Sequence, residues 1–143
     1  MAVEVRPLRL RDHSAVVALL DACGLHPRTR GRDSRSAFAG QLRSNRALYL
    51  GAFDGPRLVG MVLGTHDSRK GWINRLAVYP EYRRRGIGRR LVRACERALQ
   101  GLGLGVFAAL IEPRNDPSTA FFESLGYEAT QIRYVRRKLR QDL

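Results

Sequence analysis

Hydrophobic and polar residues alternate at the start of the chain and later repeat at helical spacing. Alternation over residues 3–8 predicts a first strand, because successive side chains of a strand point to opposite faces. Two helices are expected next, the first capped by Asp12 and ended by Gly24, the second and shorter one capped by Asp33. Three further strands are predicted at residues 46–53, 57–66 and 72–78, with an Asp54-Gly55 turn between the first two.

The second half of the chain changes period. From Gly86 the apolar residues recur every three or four positions, which predicts an amphipathic helix that ends near Gly101. The apolar run at 104–111 is typical of a strand buried on both faces, a helix is expected after Asp116, and a last strand is predicted at 130–139. This order predicts an α/β fold with a mixed, twisted sheet of six to seven strands and helices on both faces.

The length of the chain limits the fold and the location of the protein. Its 143 residues fit one domain, 1–143, since domains hold roughly 100–200 residues. The longest uncharged run covers residues 98–111, shorter than the ~18 apolar residues of a membrane span, and the first residues have no apolar signal segment. We therefore expect no membrane association and a cytoplasmic location. The two cysteines form neither a disulfide framework nor a metal set.

The net charge of the chain bears on the kind of ligand that it binds. The chain carries 26 basic residues, mostly arginine, against 13 acidic ones, a formal net charge of +13. The excess lies in residues 24–46, 81–97 and 128–143, and the rest of the chain is neutral. A focused positive field indicates an anionic ligand. A nucleic acid is one such ligand, but neither an array of base-stacking aromatic residues nor a recognised DNA-binding motif accompanies the charge, so a nucleic-acid partner is not favoured.

A glycine turn lies between a predicted strand and a predicted helix. Residues 83–90 read Arg-Arg-Arg-Gly-Ile-Gly-Arg-Arg, directly after the strand that ends at Val78. Gly86 and Gly88 let backbone N–H groups approach a ligand closely, and the first helical turn offers unpaired N–H groups with a partial positive charge. Together with the arginines they predict a pyrophosphate cradle.

These residues resemble a known family. Residues 76–90 resemble motif A of the GNAT superfamily, the Gcn5-related N-acetyltransferases, and residues 112–127 resemble its motif B. The resemblance covers nearly the whole chain and is nearest to small YpeA-like bacterial members. It implies the acyl-CoA N-acyltransferase fold, acetyl-CoA as co-substrate, no metal, and transfer of the acetyl group to a primary amine that the sequence does not identify.

The resemblance also implies which residues hold acetyl-CoA. Two neighbouring strands must splay apart to admit the thioester, and the glycine turn must meet the pyrophosphate. The residues that match the family's CoA-binding positions are Leu76, Ala77, Val78, Arg83, Arg84, Arg85, Gly86, Ile87, Gly88, Arg89, Asn115 and Phe122.

The chain departs from the family at two proton-handling positions. Phe122 stands where many members have a tyrosine that acts as general acid, and Leu110 where some have a glutamate that acts as general base. Other candidates for this chemistry are Glu112, Asp67 and Tyr127. Each also has a structural interpretation: a strand-end carboxylate beside arginines, a turn residue and a core tyrosine, respectively.

The charge of one loop is the feature of the sequence that bears on the identity of the acceptor. In the resembling family, the connection between the first two helices lines the acceptor site, and here it holds Arg28, Arg30, Arg32 and Arg35. An anionic acceptor is one hypothesis and a solvated basic loop is the other. For the whole protein the leading hypothesis is an N-acetyltransferase. The alternatives are a catalytically weak or inactive CoA-binding module and a basic nucleic-acid-binding protein. A homodimer is compatible with the sequence.

Overall fold

A five-stranded sheet in the order β1-β2-β3-β4-β5 organises the protein. The computed structural model describes residues 2–141 and 143. The first four strands are antiparallel neighbours, and β5 runs parallel to β4. The strands are β1 Val3–Pro7, β2 Tyr49–Asp54, β3 Arg57–His66, β4 Gly71–Val78 and β5 Phe107–Ala109, and the helices are α1 His13–Ala22, α2 Arg35–Asn45, α3 Ile87–Gly101 and α4 Asp116–Ser124. The α/β class with helices on both faces is thus confirmed, with five strands instead of six to seven.

Each face of the sheet has its own hydrophobic core. On one face, Leu19 and Leu20 of α1 and Phe38 of α2 pack over the sheet and are at most 3% exposed. On the other, Leu91 and Leu99 of α3 are fully buried, together with the inner side of α4. Mixed sheets of this kind bury both faces by crossover helices. Among the described residues, no helix combines the length and apolar character needed to span a bilayer.

Helix α3 lies unusually close to the sheet at the start of β4. A Cβ atom built on Gly71 would stand 2.2 Å from Cδ1 of Leu99, a side chain that is fully buried. Interiors are packed to crystal-like density, so a side chain at position 71 would force the helix or the strand to move. This contact fixes the height of α3 above β4.

The last predicted strand and the extent of the fifth were wrong. Residues 130–139 form no strand, and Ile132 and Val135 are 84% and 86% exposed. Strand β5 has three residues instead of eight, and Leu110 beyond it is 59% exposed. Strand formation depends on a pairing partner and on burial, and neither alternation nor an apolar run supplies a partner.

The predicted cap of the second helix was also wrong. The hydroxyl of Ser34 accepts a hydrogen bond from the Ala37 N–H at 3.1 Å and caps α2, whereas the Asp33 carboxylate accepts from the Arg28 N–H at 2.6 Å. Asp12 does occupy the N-cap position of α1, but its carboxylate accepts from the Arg9 N–H. Asp33 therefore orders the connection between α1 and α2 rather than the helix that follows.

Candidate active site

Strands β4 and β5 separate soon after they meet. Gly71–Ile73 pairs with Phe107–Ala109, and β4 then continues to Val78 with no partner on that side. The separation coincides with a bulge at Asn74, because Leu63 pairs with Arg75 while Gly64 pairs with Ile73. A bulge bends the strand that carries it. The splayed pair of strands that the sequence comparison required is therefore present, and residues 74–78 border the gap.

Two residues of β4 turn their backbone groups into this gap. The Tyr79 N–H donates to the Val59 carbonyl at 3.0 Å, and hydrogen-bonded pairs alternate along an antiparallel ladder. Ala77 and Arg75 therefore bond to β3, and Leu76 and Val78 face the other way. The gap thus presents an edge of β4 with no neighbouring strand, to which an extended ligand can add as a further strand. The Val78 carbonyl on this edge already accepts from Nε of Arg83 and from Sγ of Cys23.

The glycine turn leaves backbone N–H groups available at one end of the gap. Arg84 and Gly86 have φ values of 63° and 77°, in the left-handed region, and Gly86 directly precedes α3. The first helical bond runs from the Arg90 N–H to the Gly86 carbonyl, so the N–H groups of residues 87–89 are left without a partner in the helix. No side chain caps α3, so these N–H groups and the helix dipole remain available to an anion.

Gly88 is the point where three elements meet. A Cβ atom on Gly88 would lie 3.4 Å from Cζ of Phe121 in α4 and 4.0 Å from Cγ2 of Val78 in β4. The first turn of α3 thus lies against the end of the unpaired edge. A phosphate bound at this turn and an extended arm along β4 belong to one continuous site.

The arginines around the turn have different roles. Nε of Arg83 donates to the Val78 carbonyl at 3.0 Å, so this side chain braces the end of β4. Arg85 lies over the ring of Tyr82 at 5.2 Å. Arg84 and Arg89 are exposed at the turn itself. The sequence pattern grouped all four as phosphate ligands, and the brace formed by Arg83 could not be seen in it.

Asn115 lies at the start of α4. Its Oδ1 accepts from the Ser118 N–H at 3.2 Å, which caps the helix. The side-chain NH2 group keeps its capacity to donate. Asn115 can therefore cap α4 and also donate a hydrogen bond to an extended ligand, as the resemblance implies.

Glu112 and Asp67, two of the three proton-handling candidates, lie in different parts of the structure. Glu112 is exposed on the segment that continues β5 beyond the gap. Asp67 lies in the β3–β4 turn, where Oδ1 accepts from the N–H groups of Lys70 and Arg69 at 2.8 and 2.9 Å. Those bonds lower the pKa of Asp67. Five strand residues, about 17 Å, separate that turn from Leu76, so Asp67 is not brought to the gap.

Tyr127 belongs to a buried polar network. Its hydroxyl donates to Oε2 of Glu96 at 2.6 Å, and Arg93 donates to Oε1 at 2.8 Å and to the Leu125 carbonyl at 2.9 Å. Burial, and then the Glu96 carboxylate, raise the pKa of Tyr127. The hydroxyl therefore stays protonated and ties the end of α4 to α3.

The orientation of α4 differs from the expected one. Phe121 and Leu125 form an i, i+4 apolar pair, which predicts that Phe121 faces the core and that Phe122 is turned away from it. Phe122 is instead 7% exposed in the core, with its ring 5.0 Å from that of Tyr127, and Phe121 is the half-buried ring beside Gly88. Spacing identifies the face of a helix only within a residue or so, because the packing partners set its rotation.

The sequence did not identify a second cavity, which lies on the α1/α2 face of β4. It has a volume of about 320 Å³. Its lining consists of Arg32, Asp33, Gln41, Tyr49, Leu63, Asn74 and Arg75. Of the four loop arginines expected to contact an acceptor, Arg32 is in this lining, while Arg35 donates to the Leu10 carbonyl. A charged residue inside an apolar strand, Arg75, was the available signal.

Comparison with known proteins identifies the class. The sequence matches the acetyltransferase (GNAT) family over residues 13–127, most of its length. The fold is similar to that of the PaiA N-acetyltransferase from Thermoplasma acidophilum in complex with coenzyme A, at 21% identity and a TM-score of 0.83 over 93% of this chain and 94% of that one.

Two further solved structures share the fold. The ribosomal-protein-alanine N-acetyltransferase from Brucella melitensis biovar Abortus 2308 is 23% identical with a TM-score of 0.70, over 96% of this chain and 100% of that one. AAC(6')-Iy in complex with a CoA bisubstrate analogue is 19% identical with a TM-score of 0.78, over 96% and 99%.

The chain belongs to the acetyltransferase (GNAT) family, and it is an acetyl-CoA-dependent N-acetyltransferase. The unpaired edge of β4 and the turn before α3 are the features of this fold that fit an extended acyl-CoA. The YpeA-like subgroup stays a prediction.

The Tyr127 network predicts the effect of removing its hydroxyl. Tyr127→Phe leaves the buried Glu96 carboxylate short of one donor, so the free energy of unfolding should fall by about 1–3 kcal/mol. Because this hydroxyl is bound within the protein, kcat should stay within about twofold of the parent value. Urea denaturation and initial rates measure the two quantities. A stable Tyr127→Phe protein that had lost most of its kcat would contradict this prediction and indicate that Tyr127 takes part in proton transfer.

Proposed function

We propose that the protein transfers the acetyl group of acetyl-CoA to a primary amine by direct attack of the amine on the thioester carbonyl. The observation that carries the proposal is the unpaired edge of β4 at Leu76 and Val78, continuous with the uncapped first turn of α3. The extended part of acetyl-CoA fits the edge of β4, and its pyrophosphate fits the first turn of α3. Both contacts use backbone groups, so they do not depend on the apolar side chains at positions 110 and 122.

The reaction needs few protein groups. The amine nitrogen forms a bond to the carbonyl carbon, the C–S bond breaks, the amine loses a proton and the CoA thiolate gains one. The N–H groups of residues 76–78 that face the gap support the carbonyl oxygen as negative charge develops on it. A thioester is already activated, so binding the reactants in register supplies much of the rate.

We propose Glu112 as the group that accepts the proton of the amine, directly or through water. Of the three candidates from the sequence, it is the one that is neither held in a turn, as Asp67 is, nor bonded to a buried carboxylate, as Tyr127 is, and it is exposed on the segment that follows β5. Leu110 and Phe122 carry no titratable group, so no second acid or base is proposed at those positions. General acid–base assistance is typically worth about 10²–10⁴-fold, and we expect a slow enzyme. Binding of acetyl-CoA without release of thiol to any amine would contradict the proposal.

The phosphate turn generates the first test of the proposal. Gly88→Glu adds bulk and a negative charge beside the N–H groups of α3, and the Kd for acetyl-CoA should rise at least tenfold, about 1.4 kcal/mol. Gly88→Ala is the control, because its Cβ makes an ordinary 3.4 Å contact with Phe121 and adds no charge. Isothermal titration calorimetry measures both. Unchanged affinity in a folded Gly88→Glu protein would contradict the role of this turn.

A second test concerns the proton acceptor. Glu112→Gln keeps the shape of the side chain and removes its basicity, so kcat/KM for the amine should fall at least tenfold while the Kd for acetyl-CoA stays the same. Glu128→Gln, which removes an equally exposed carboxylate elsewhere, should have no effect. Thiol release measures turnover. Equal rates for Glu112→Gln and the parent protein would exclude Glu112 as the base.

A further inference from the structure

The cavity on the α1/α2 face of β4 contains a buried guanidinium with unmet hydrogen-bonding capacity. The side chain of Arg75 is 13% exposed, and its Nη2 lies 3.3 Å from Oδ2 of Asp33. Its Nη1 is buried and has no hydrogen-bond partner among the residues that the structure describes. Buried polar groups are nearly always paired, so an unpaired N–H on a charged group indicates a missing acceptor. Burial also lowers the pKa of Arg75, which an anion would offset.

The charges around Arg75 do not balance. Arg32 also faces Asp33, with Nε 4.0 Å from the same Oδ2 atom, and the Arg28 N–H donates to that atom at 2.6 Å. The guanidinium groups of Arg75 and Arg32 therefore share one carboxylate, and the positive charge of Arg28 also helps to lower the pKa of Arg75, so at least one positive charge remains. Burial raises the pKa of Tyr49 to about 12, so its phenol adds no negative charge at neutral pH. An added carboxylate would offset one of these positive charges.

The cavity adjoins the proposed reaction site. Arg75 and Leu76 are consecutive in β4, with Cα atoms ~3.8 Å apart. Leu76 turns its backbone to the gap in the plane of the sheet, and the Arg75 side chain projects from the α1/α2 face of the strand toward Asp33. Asn74, the bulged residue, lines the cavity as well. Consecutive residues of β4 therefore border the gap and line the cavity.

We infer that this cavity holds the carboxylate of the amine acceptor, bound by the guanidinium groups of Arg75 and Arg32. The acceptor class is then a short amino acid or peptide whose amine and carboxylate are several bonds apart. The inference rests on the proposed acetyl transfer and names the substrate class for it. Guanidinium groups bind carboxylates through paired N–H donors, so the discrimination against a neutral analogue is expected to be strong.

The test compares acids with their carboxamides. Glycine, β-alanine, γ-aminobutyrate and glycylglycine are each paired with the corresponding carboxamide, in which an uncharged amide group of the same length replaces the carboxylate. Thiol release gives kcat/KM, and the thermal shift of the CoA-bound protein gives binding without turnover. At least one acid should exceed its carboxamide by tenfold in kcat/KM, and the difference should shrink as salt is added.

Substitutions of arginines in and outside the cavity lining supply a second test. Arg75→Gln should reduce the preference for the acid at least tenfold. Arg32→Gln, on a side chain that is 56% exposed and safe for folding, should reduce it about threefold. Arg43→Gln, an exposed arginine of α2 outside the cavity lining, is the control and should leave the preference intact. The Kd for acetyl-CoA should be the same in all three.

The outcomes separate the inference from the proposed function. Carboxamides that react and bind as well as the acids would overturn the inference. So would a panel in which no acid stabilises the protein more than its carboxamide while acetyl-CoA still binds. Selective stabilisation by an acid without thiol release would support the carboxylate site and count against acetyl transfer to that class of amine.

Discussion

A backbone N–H or C=O group that leaves a sheet must find another partner, and β4 has residues in this condition. The bulge at Asn74 turns the strand away from β5, so Leu76 and Val78 present an unpaired edge. The other features of the site are arranged around that edge: α3 begins at its end, Arg83 braces its last carbonyl, and α4 closes on it through Phe121. A flat, fully paired β4 would leave no room for an extended ligand.

Strand β4 also connects two functional surfaces. Its edge borders the gap where we propose that the acetyl group is transferred, and its α1/α2 face carries Arg75 into the charged cavity. Side chains alternate along a strand, so neighbouring residues serve different faces without a loop between them. The same bulge that opens the gap brings Asn74 into the cavity lining. A change in the bulge is therefore expected to affect both acetyl-CoA binding and the choice of amine.

Features that are local in the chain were predictable, and features that depend on distant partners were not. The turn at Gly86 and Gly88 was predicted because its glycines, arginines and following helix lie within one short segment. The partner of Tyr127 is Glu96, 31 residues earlier, and no pattern links the two. The partner of Arg75 is Asp33, 42 residues earlier, which the sequence favoured as a helix cap.

The strands show the same limit. Those that form hairpins, β2 to β4, were predicted at nearly the observed positions, because each one pairs with its neighbour in the chain. Residues 130–139 have strand-like alternation, yet they pair with no strand in the described structure, and Ile132 and Val135 are exposed. Alternating apolar and polar residues indicate that a segment can form a strand with two different faces. Whether the apolar face is buried depends on the packing of the whole fold.

Amide hydrogen exchange of β4, followed by NMR with and without acetyl-CoA, tests the central claim most directly. The N–H groups of Leu76 and Val78 should exchange at least tenfold more slowly when acetyl-CoA is bound, because the ligand pairs with them as an added strand. Those of Arg75 and Ala77 are already bonded to β3 and should change far less. Saturating acetyl-CoA that protects the turn before α3 but leaves Leu76 and Val78 unprotected would contradict the account.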